Sequence, residues 1–406
     1  MNVPDVDALT SPAGRALLDE LAGSAAEDPV ALAQRLRRAG HDPHLAALAT
    51  TQVRLRERAA LKLGPRAHGL LLTPAGTEQA TRAVVAAEHA RRFAAAGVRR
   101  VADLGCGVGA DSLAFLDAGL DVLAVDADPV TAAVAAHNLG RPVRCADVTA
   151  GVTGELAGGD GAWFDPARRT GSGRRVFDPE ATSPPLSFVL ATAARVPATG
   201  AKLAPGVPHA ALPAGAEAQW TSVDGEVVEC ALWHGPLARP GTARSARVVR
   251  GGRVDELDDT DLPQAPVGPV GEFLHEPDGA VIRAGLVGRV AADLGGRLLD
   301  ETIAYVSTDA PAPSPFARGY RVLEVMPFGL KPLRARLRAL DVGALTVKKR
   351  GTAVDPDQLR RQLALKGSRP ATIVLTRLAG RQSVLVVEPL GAQPLSPSGP
   401  PAGPPA

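Results

Sequence analysis

Asp103-Leu-Gly-Cys-Gly-Val-Gly109 decides the reading of this chain. It follows the apolar run Arg100 to Leu104 and precedes a helical stretch from Asp111, so three glycines stand where a strand passes into a helix. Gly105, Gly107 and Gly109 permit positive φ and clear side chains from a place where a ligand must approach the backbone, in front of the free amides of a helix N-terminus. That combination points to a nucleotide-like ligand. Alone it does not choose among such ligands, because Gly105, Gly107 and Ala110 also satisfy G-x-G-x-x-G/A, the pattern of dinucleotide oxidoreductases.

Outward from the turn, short apolar runs alternate with helical stretches between Arg99 and Arg250, which predicts a mostly parallel sheet with helices on both faces. The expected strands include Val122 to Val125, Val143 to Val148, Ala162 to Phe164, Ala201 to Ala204, Val227 to Leu232 and Ala246 to Val249. Asp103 ends the first strand, placed to meet an ammonium group, a charge that a pyrophosphate ligand lacks, and so tilts the choice towards S-adenosylmethionine. Asp126 ends the second strand, placed for ribose hydroxyls in either cofactor class. Asp147 closes the third, placed to accept from an adenine amine. The fourth ends in Ala162-Trp-Phe-Asp-Pro-Ala-Arg-Arg169, at the carboxyl edge where open α/β sheets bind ligands. Asp165, Pro166 and Arg168 are therefore the candidate substrate site.

These four motifs, in this order, resemble the class I S-adenosylmethionine-dependent methyltransferase family over about residues 76 to 250. The resemblance implies a Rossmann-like α/β fold with a seven-stranded sheet. It implies S-adenosyl-L-methionine held by Asp103, Gly105, Gly107, Gly109, Asp126 and Asp147, and a methyl acceptor oriented by Asp165 with the Pro166 carbonyl. Many amine-modifying members carry D-P-P-Y or N-P-P-Y at the fourth motif. Arg168 stands here in place of that aromatic, suited to stack on a base or grip a phosphate. D-P-A-R also looks like the motif of carbon-5 uridine methyltransferases, which need a cysteine nucleophile. Cys230 sits within the strand-like Val227 to Leu232, where a buried structural thiol is expected. Direct displacement by an electron-rich nucleophile is the preferred chemistry, with Asp165 accepting a hydrogen bond from an amine.

The C-terminal block resembles the THUMP-like domain that accompanies a bacterial branch of this family, through Arg318-Gly-Tyr-Arg-Val-Leu, Leu345-Thr-Val-Lys-Lys-Arg-Gly351 and Leu359-Arg-Arg-Gln-Leu. Glu276-Pro-Asp-Gly-Ala-Val-Ile-Arg-Ala284 looks like the same branch. THUMP domains hold structured RNA, so the resemblance implies tRNA or rRNA as partner. Charge agrees: residues 315 to 391 hold 15 Lys and Arg against 5 Asp and Glu, within a chain whose net charge is only +2. Lys348, Lys349, Arg350 and Arg334 are the candidate RNA contacts.

The expected organisation is a helical domain over 1–75, the methyltransferase domain over 76–250, a connecting α+β segment over 251–315, an α+β THUMP-like domain over 316–390 and a disordered tail over 391–406. Asp28-Pro29 and Asp42-Pro43 mark helix starts in the first. One helix is expected from Pro74 to Gly97, carrying Gln79 and Thr81 either as cofactor contacts or as plain helical surface. Three widely spaced cysteines argue against disulfides and zinc, and His137, His209 and His234 lack metal-ligand spacing, so no metal is assigned. No apolar run is long enough to span a membrane, and the acidic first residues do not read as a leader, which together suit a cytoplasmic protein. Two other functions stay open at this level: a methyltransferase for a small molecule or protein, and a non-catalytic RNA-binding protein with a vestigial methyltransferase fold.

Overall fold

A computed structural model describes residues 1–157, 159–168 and 178–391. Arg169 and the expected tail beyond Gly391 lie outside the described residues. The chain forms two compact units, one of Met1–Ala218 with Glu229–Pro240, the other of Gln219–Val228 with the chain from Gly241.

The first unit begins with four helices, α1 (Val3–Thr10), α2 (Pro12–Glu20), α3 (Pro29–Arg38) and α4 (Pro43–Leu63). Asp28 caps α3 by accepting from Val30 and Ala31, Asp42 caps α4 by accepting from Leu45, and each helix opens on the proline that follows. Leu9, Leu17, Leu21, Leu32 and Leu36 meet in a core that also takes in Val108 of the glycine turn and Val134.

Where one helix was expected, there are two, α5 (Pro74–Gln79) and α6 (Ala83–Ala95). At the break the Thr81 hydroxyl donates to Asp111 at 2.6 Å and the Gln79 carbonyl accepts from Lys202 at 3.4 Å. These tertiary bonds override a helical pattern that local propensity alone would continue.

There follow β1 (Arg100–Leu104), α7 (Ala110–Asp117), β2 (Asp121–Asp126), α8 (Pro129–Leu139), β3 (Arg144–Cys145), β4 (Gly161–Phe164), β5 (Ala167–Arg168), β6 (Thr182–Ser183), α9 (Leu186–Ala193), β7 (Ala198–Leu203), β8 (Glu217–Val223) and β9 (Glu226–Trp233). The sheet has nine strands rather than the expected seven: it runs β3-β2-β1-β4-β7-β9-β8, and two further strands, described with the second unit, follow β8. β3, β2, β1, β4 and β7 are parallel and β9 returns antiparallel against β7, with Lys202 opposite Ala231. β1 lies between β2 and β4, Leu104 opposite both Val125 and Phe164, which brings the ends of three strands together. Phe93, Phe115, Trp163 and Trp233 fill the core beside them, each fully buried side chain contributing about 1.5–3 kcal/mol.

Two strands correct the reading from sequence. β3 stops at Cys145 rather than Val148, so Asp147 stands beyond it at a turn. β8 was not expected, because Glu217, Gln219 and Thr221 give it a polar look, yet every residue in it is buried.

The second unit holds the hairpin β10 (Arg244–Arg250) and β11 (Arg253–Asp258), turned on Gly251-Gly252, both at positive φ as a tight hairpin turn requires. The expected strand at Ala246 to Val249 is therefore part of this unit. Its larger sheet is built from β12 (Phe273–Pro277), β13 (Arg297–Asp300), β14 (Ile303–Thr308), β15 (Ala317–Pro327), β16 (Val342–Lys349), β17 (Arg369–Leu378) and β18 (Arg381–Pro389), in the order β13-β14-β12-β15-β18-β17-β16. The segment before Pro315 thus shares one sheet with the C-terminal block, Leu274 lying opposite Tyr320. Gly285 at φ 74° separates α10 (Gly279–Ala284) from α11 (Val287–Asp293). Helices α12 (Leu330–Ala339) and α13 (Pro356–Leu363) bury Leu333, Leu337, Leu359 and Leu363 beneath basic outer faces.

Candidate active site

The glycine turn is built for close approach. Gly105 and Cys106 both donate to the Val125 carbonyl, at 2.9 and 3.0 Å, folding the turn across the end of β2. Gly105 adopts φ 97°, and a Cβ there would stand 2.9 Å from the Asp165 carbonyl oxygen, so the first and fourth motifs meet through a position that only glycine fills. Gly109, at φ 91°, precedes α7 and leaves the helix N-terminus facing the turn.

Asp103, Asp126 and Asp165 end adjacent strands. Asp103 is 1% exposed; one oxygen accepts from the Ser112 hydroxyl at 2.5 Å, while Oδ1 is buried without a partner among the described residues. Burial, reinforced by nearby Asp111, pushes its carboxyl well above the usual range. Asp126 accepts from the Gly107 amide at 3.0 Å and the Asp128 amide at 2.9 Å. Burial raises it, and these two amides oppose the rise. Asp147 is exposed and caps its own turn, accepting from the amide and hydroxyl of Thr149 at 2.8 and 2.7 Å. Arg168 pairs through its backbone with Thr182 in the two-stranded ladder of β5 and β6, next to Ala167 and Pro166; its side chain lies outside the described residues.

A buried chain of charges that no motif disclosed continues from Asp165. Lys202 on β7 donates to Asp165 at 2.9 Å and to the Thr81 hydroxyl at 3.1 Å. Thr81 in turn donates to Asp111, whose other oxygen faces His89 Nδ1 at 2.8 Å. His89 Nε2 faces Glu229 at 2.7 Å. With a carboxylate against each ring nitrogen, His89 must donate from both and is a cation. Burial opposes that charge, but Glu229 and Asp111 together raise it to about 9. Burial also opposes the charge on Lys202, and Asp165, Asp111 and Glu229 outweigh it and raise the ammonium. Asp165 is pushed up by burial and held back by Lys202. The available signal was the charge in apolar strands: Lys202 in β7 and Glu229 in β9.

Cys230 is wholly buried, and burial with Glu229 beside it pushes the thiol far up, as befits a structural cysteine.

In the second unit the four expected RNA contacts have internal partners. Lys348 and Arg350 both reach Glu276, at 3.1 and 3.6 Å, and Arg350 lies over the Tyr305 ring. Lys349 donates to the Val354 carbonyl at 2.9 Å, and Arg334 donates to that of Gln362. Lys348 and Arg350 thus form one cluster around Glu276, with Lys349 and Arg334 bonded elsewhere.

A mostly parallel sheet whose strand ends carry a glycine turn, two acids and D-P-A-R defines a Rossmann-like protein with a nucleoside-cofactor edge. Comparison with known proteins places it further. Residues 317–389 match the THUMP domain-like family, and residues 2–59 match a domain of unknown function, DUF8688. An uncharacterized S-adenosylmethionine-dependent methyltransferase of Mycobacterium tuberculosis, found in strains CDC 1551 and H37Rv, is 38% identical over 337 residues, spanning 80% of this chain and 90% of its own length. The chain belongs to this family of S-adenosylmethionine-dependent methyltransferases with a THUMP-like C-terminal domain. A crystal structure of a candidate methyltransferase from Porphyromonas gingivalis W83 shares the fold, with TM-score 0.72, 21% identity and coverage of 92% of this chain and 96% of that one.

Proposed function

We propose that this protein transfers a methyl group from S-adenosyl-L-methionine to a base of structured RNA, tRNA or rRNA, by direct displacement. The observation that supports the reading is the joint of Gly105 against the Asp165 backbone, which brings the candidate acceptor motif next to the candidate cofactor turn. The residues fit such a cofactor. Asp103 Oδ1 is a buried acceptor in need of a donor, which an ammonium group supplies, and Gly107 has open space where a Cβ would be. Asp126, fixed by two amides, is oriented for ribose hydroxyls; for Asp147 its place beyond β3 is the support. When bound, S-adenosylmethionine supplies an electrophilic methyl group on its sulfonium.

The chain's own residues do the rest. Lys202 holds Asp165 at one oxygen and fixes its orientation, leaving the carboxylate to accept from an acceptor amine. Pro166 and Arg168 follow directly and supply a carbonyl and a guanidinium suited to a base. The buried walls of Phe164 and Trp163 exclude water behind them.

RNA as the acceptor rests on the THUMP-like match and the basic balance of residues 315–391. The cations tied to Glu276 favour a second reading, in which this face is structural and the acceptor is a small molecule or protein. Three free thiols suit the reducing cytoplasm.

One result tests the cofactor site that both readings share, and a second separates them. Asp103→Ala is expected to weaken S-adenosylmethionine binding at least about tenfold by calorimetry, since it removes the buried acceptor that would meet the ammonium group. Lys348→Ala combined with Lys349→Ala is expected to leave that binding unchanged while weakening tRNA binding and lowering its salt dependence by about one to two counterions. Undiminished tRNA and rRNA affinity in the double variant would transfer support to the second reading.

A further inference from the structure

We propose that the N-terminal helices, whose family has no known function, are the scaffold that holds the glycine turn in its cofactor-binding shape, acting through Gln52 and Asn138. The inference rests on reading that turn as the S-adenosylmethionine site.

Gln52 lies on α4 and is 2% exposed. It spends both ends of its amide on one backbone unit: Nε2 donates to the Leu72 carbonyl and Oε1 accepts from the Leu72 amide, each at 2.8 Å. The preceding residue is held in the same way from the other side. Asn138 on α8 accepts from the Leu71 amide at 2.8 Å and donates to the Leu71 carbonyl at 2.9 Å. Two side-chain amides therefore do for residues 71–72 what neighbouring strands do in a sheet, and satisfy buried backbone groups that would otherwise be orphaned.

The ladder does not end there. Asn138 Nδ2 also donates to the Val108 carbonyl, inside the glycine turn, at 2.9 Å. The Val108 side chain, 2% exposed, belongs to the core of the N-terminal helices. Beyond Leu72, α5 lies directly on the same residue: a Cβ at Gly76 would stand 2.3 Å from Val108 Cγ1. Val108 is thus gripped by its carbonyl and by its side chain, both from elements anchored to residues 2–72.

A turn with glycine at three of five positions has high conformational freedom when unrestrained, and a site formed in advance binds more tightly than one that must be ordered by its ligand. The grip on Val108, the residue between Gly107 and Gly109, supplies that order. Gln52 and Asn138 are positioning residues.

The test uses the full-length protein and S-adenosylmethionine itself. Asn138→Ala and Gln52→Met are each expected to weaken binding by about 5- to 10-fold in calorimetry, the equivalent of losing one or two buried hydrogen bonds. Both are expected to speed hydrogen exchange at the amides of residues 105–109. Leu18→Ala, which opens a cavity in the same helical core without removing a hydrogen bond of the ladder, is expected to lower the melting temperature while leaving affinity and turn exchange at wild-type values. Wild-type affinity and exchange in both ladder variants would overturn the proposal, as would an equal loss in Leu18→Ala. Failure of the wild-type protein to bind S-adenosylmethionine would instead remove the cofactor reading, and turn exchange would still decide whether the helices order the turn.

Discussion

Replacing His89 with leucine is expected to destabilise the first unit by about 3–5 kcal/mol, the usual loss when a buried ion pair keeps one side of its charges. The size follows from what remains: Asp111 and Glu229, at 5% and 2% exposure, facing an apolar side chain. For a unit of this length each kcal/mol shifts the midpoint of melting by about 2–4 °C, so a fall of about 6–20 °C should be measurable. The pH dependence carries a sign. His89 is raised from 6.5 to about 9 by its carboxylates. Its contribution is therefore complete below 6.5 and lost as pH rises through 9. Asp111, lowered by His89 against the opposing effect of burial, contributes above the usual carboxylate range and loses that contribution as pH falls through its lowered value. Wild-type melting temperature should fall between pH 7 and 9.5, and the leucine variant should lose that step. Parallel curves for the two proteins over this range would rule out a protonated His89.

What was legible in the sequence was what the backbone demands locally. Gly105 and Gly109 announce positive φ, and Asp103, Asp126 and Asp165 announce strand ends, because each signal lies within a few residues of its cause. The charge chain was not legible, since its partners are far apart in sequence: His89 and Glu229 are separated by 140 residues and Asp165 and Lys202 by 37. Thr81 read as part of one helix because the break that buries it is made by Asp111 and Lys202, not by a local breaker. β8 was missing from the expected strands for a related reason. Its Glu217 is wholly buried, yet Arg92 and Arg239 both reach it, so a charge that should exclude a strand from the core is neutralised there by distant residues. The pairing of Lys348 and Arg350 with Glu276 was not legible either, because Glu276 lies some seventy residues earlier.

Lys202→Met should separate the architecture of the site from its chemistry. The ammonium has three protons and three acceptors, Asp165 Oδ2, the Thr81 hydroxyl and the Gln79 carbonyl. Methionine keeps the length and removes all three bonds. Asp165 is 30% exposed, so the destabilisation should be roughly 2–3 kcal/mol, below that of a fully buried pair. Burial already pushes the Asp165 carboxyl up, and Lys202 is the main group holding it back. Without it burial pushes the carboxyl up further, so less of it is ionised to accept from an amine. Transfer of labelled methyl from S-adenosylmethionine to RNA of cells lacking this gene should fall by at least about 100-fold at pH 7, the scale of a lost acid-base group. Activity should recover as pH rises, because a raised carboxyl ionises again at higher pH. S-adenosylmethionine affinity should change little, since Asp103 and the glycine turn are untouched. A loss of transfer that is flat from pH 6 to 9 would show that Lys202 acts on the acceptor by another route than the ionisation of Asp165. Wild-type transfer in the variant would remove Asp165 and Lys202 from the chemistry together.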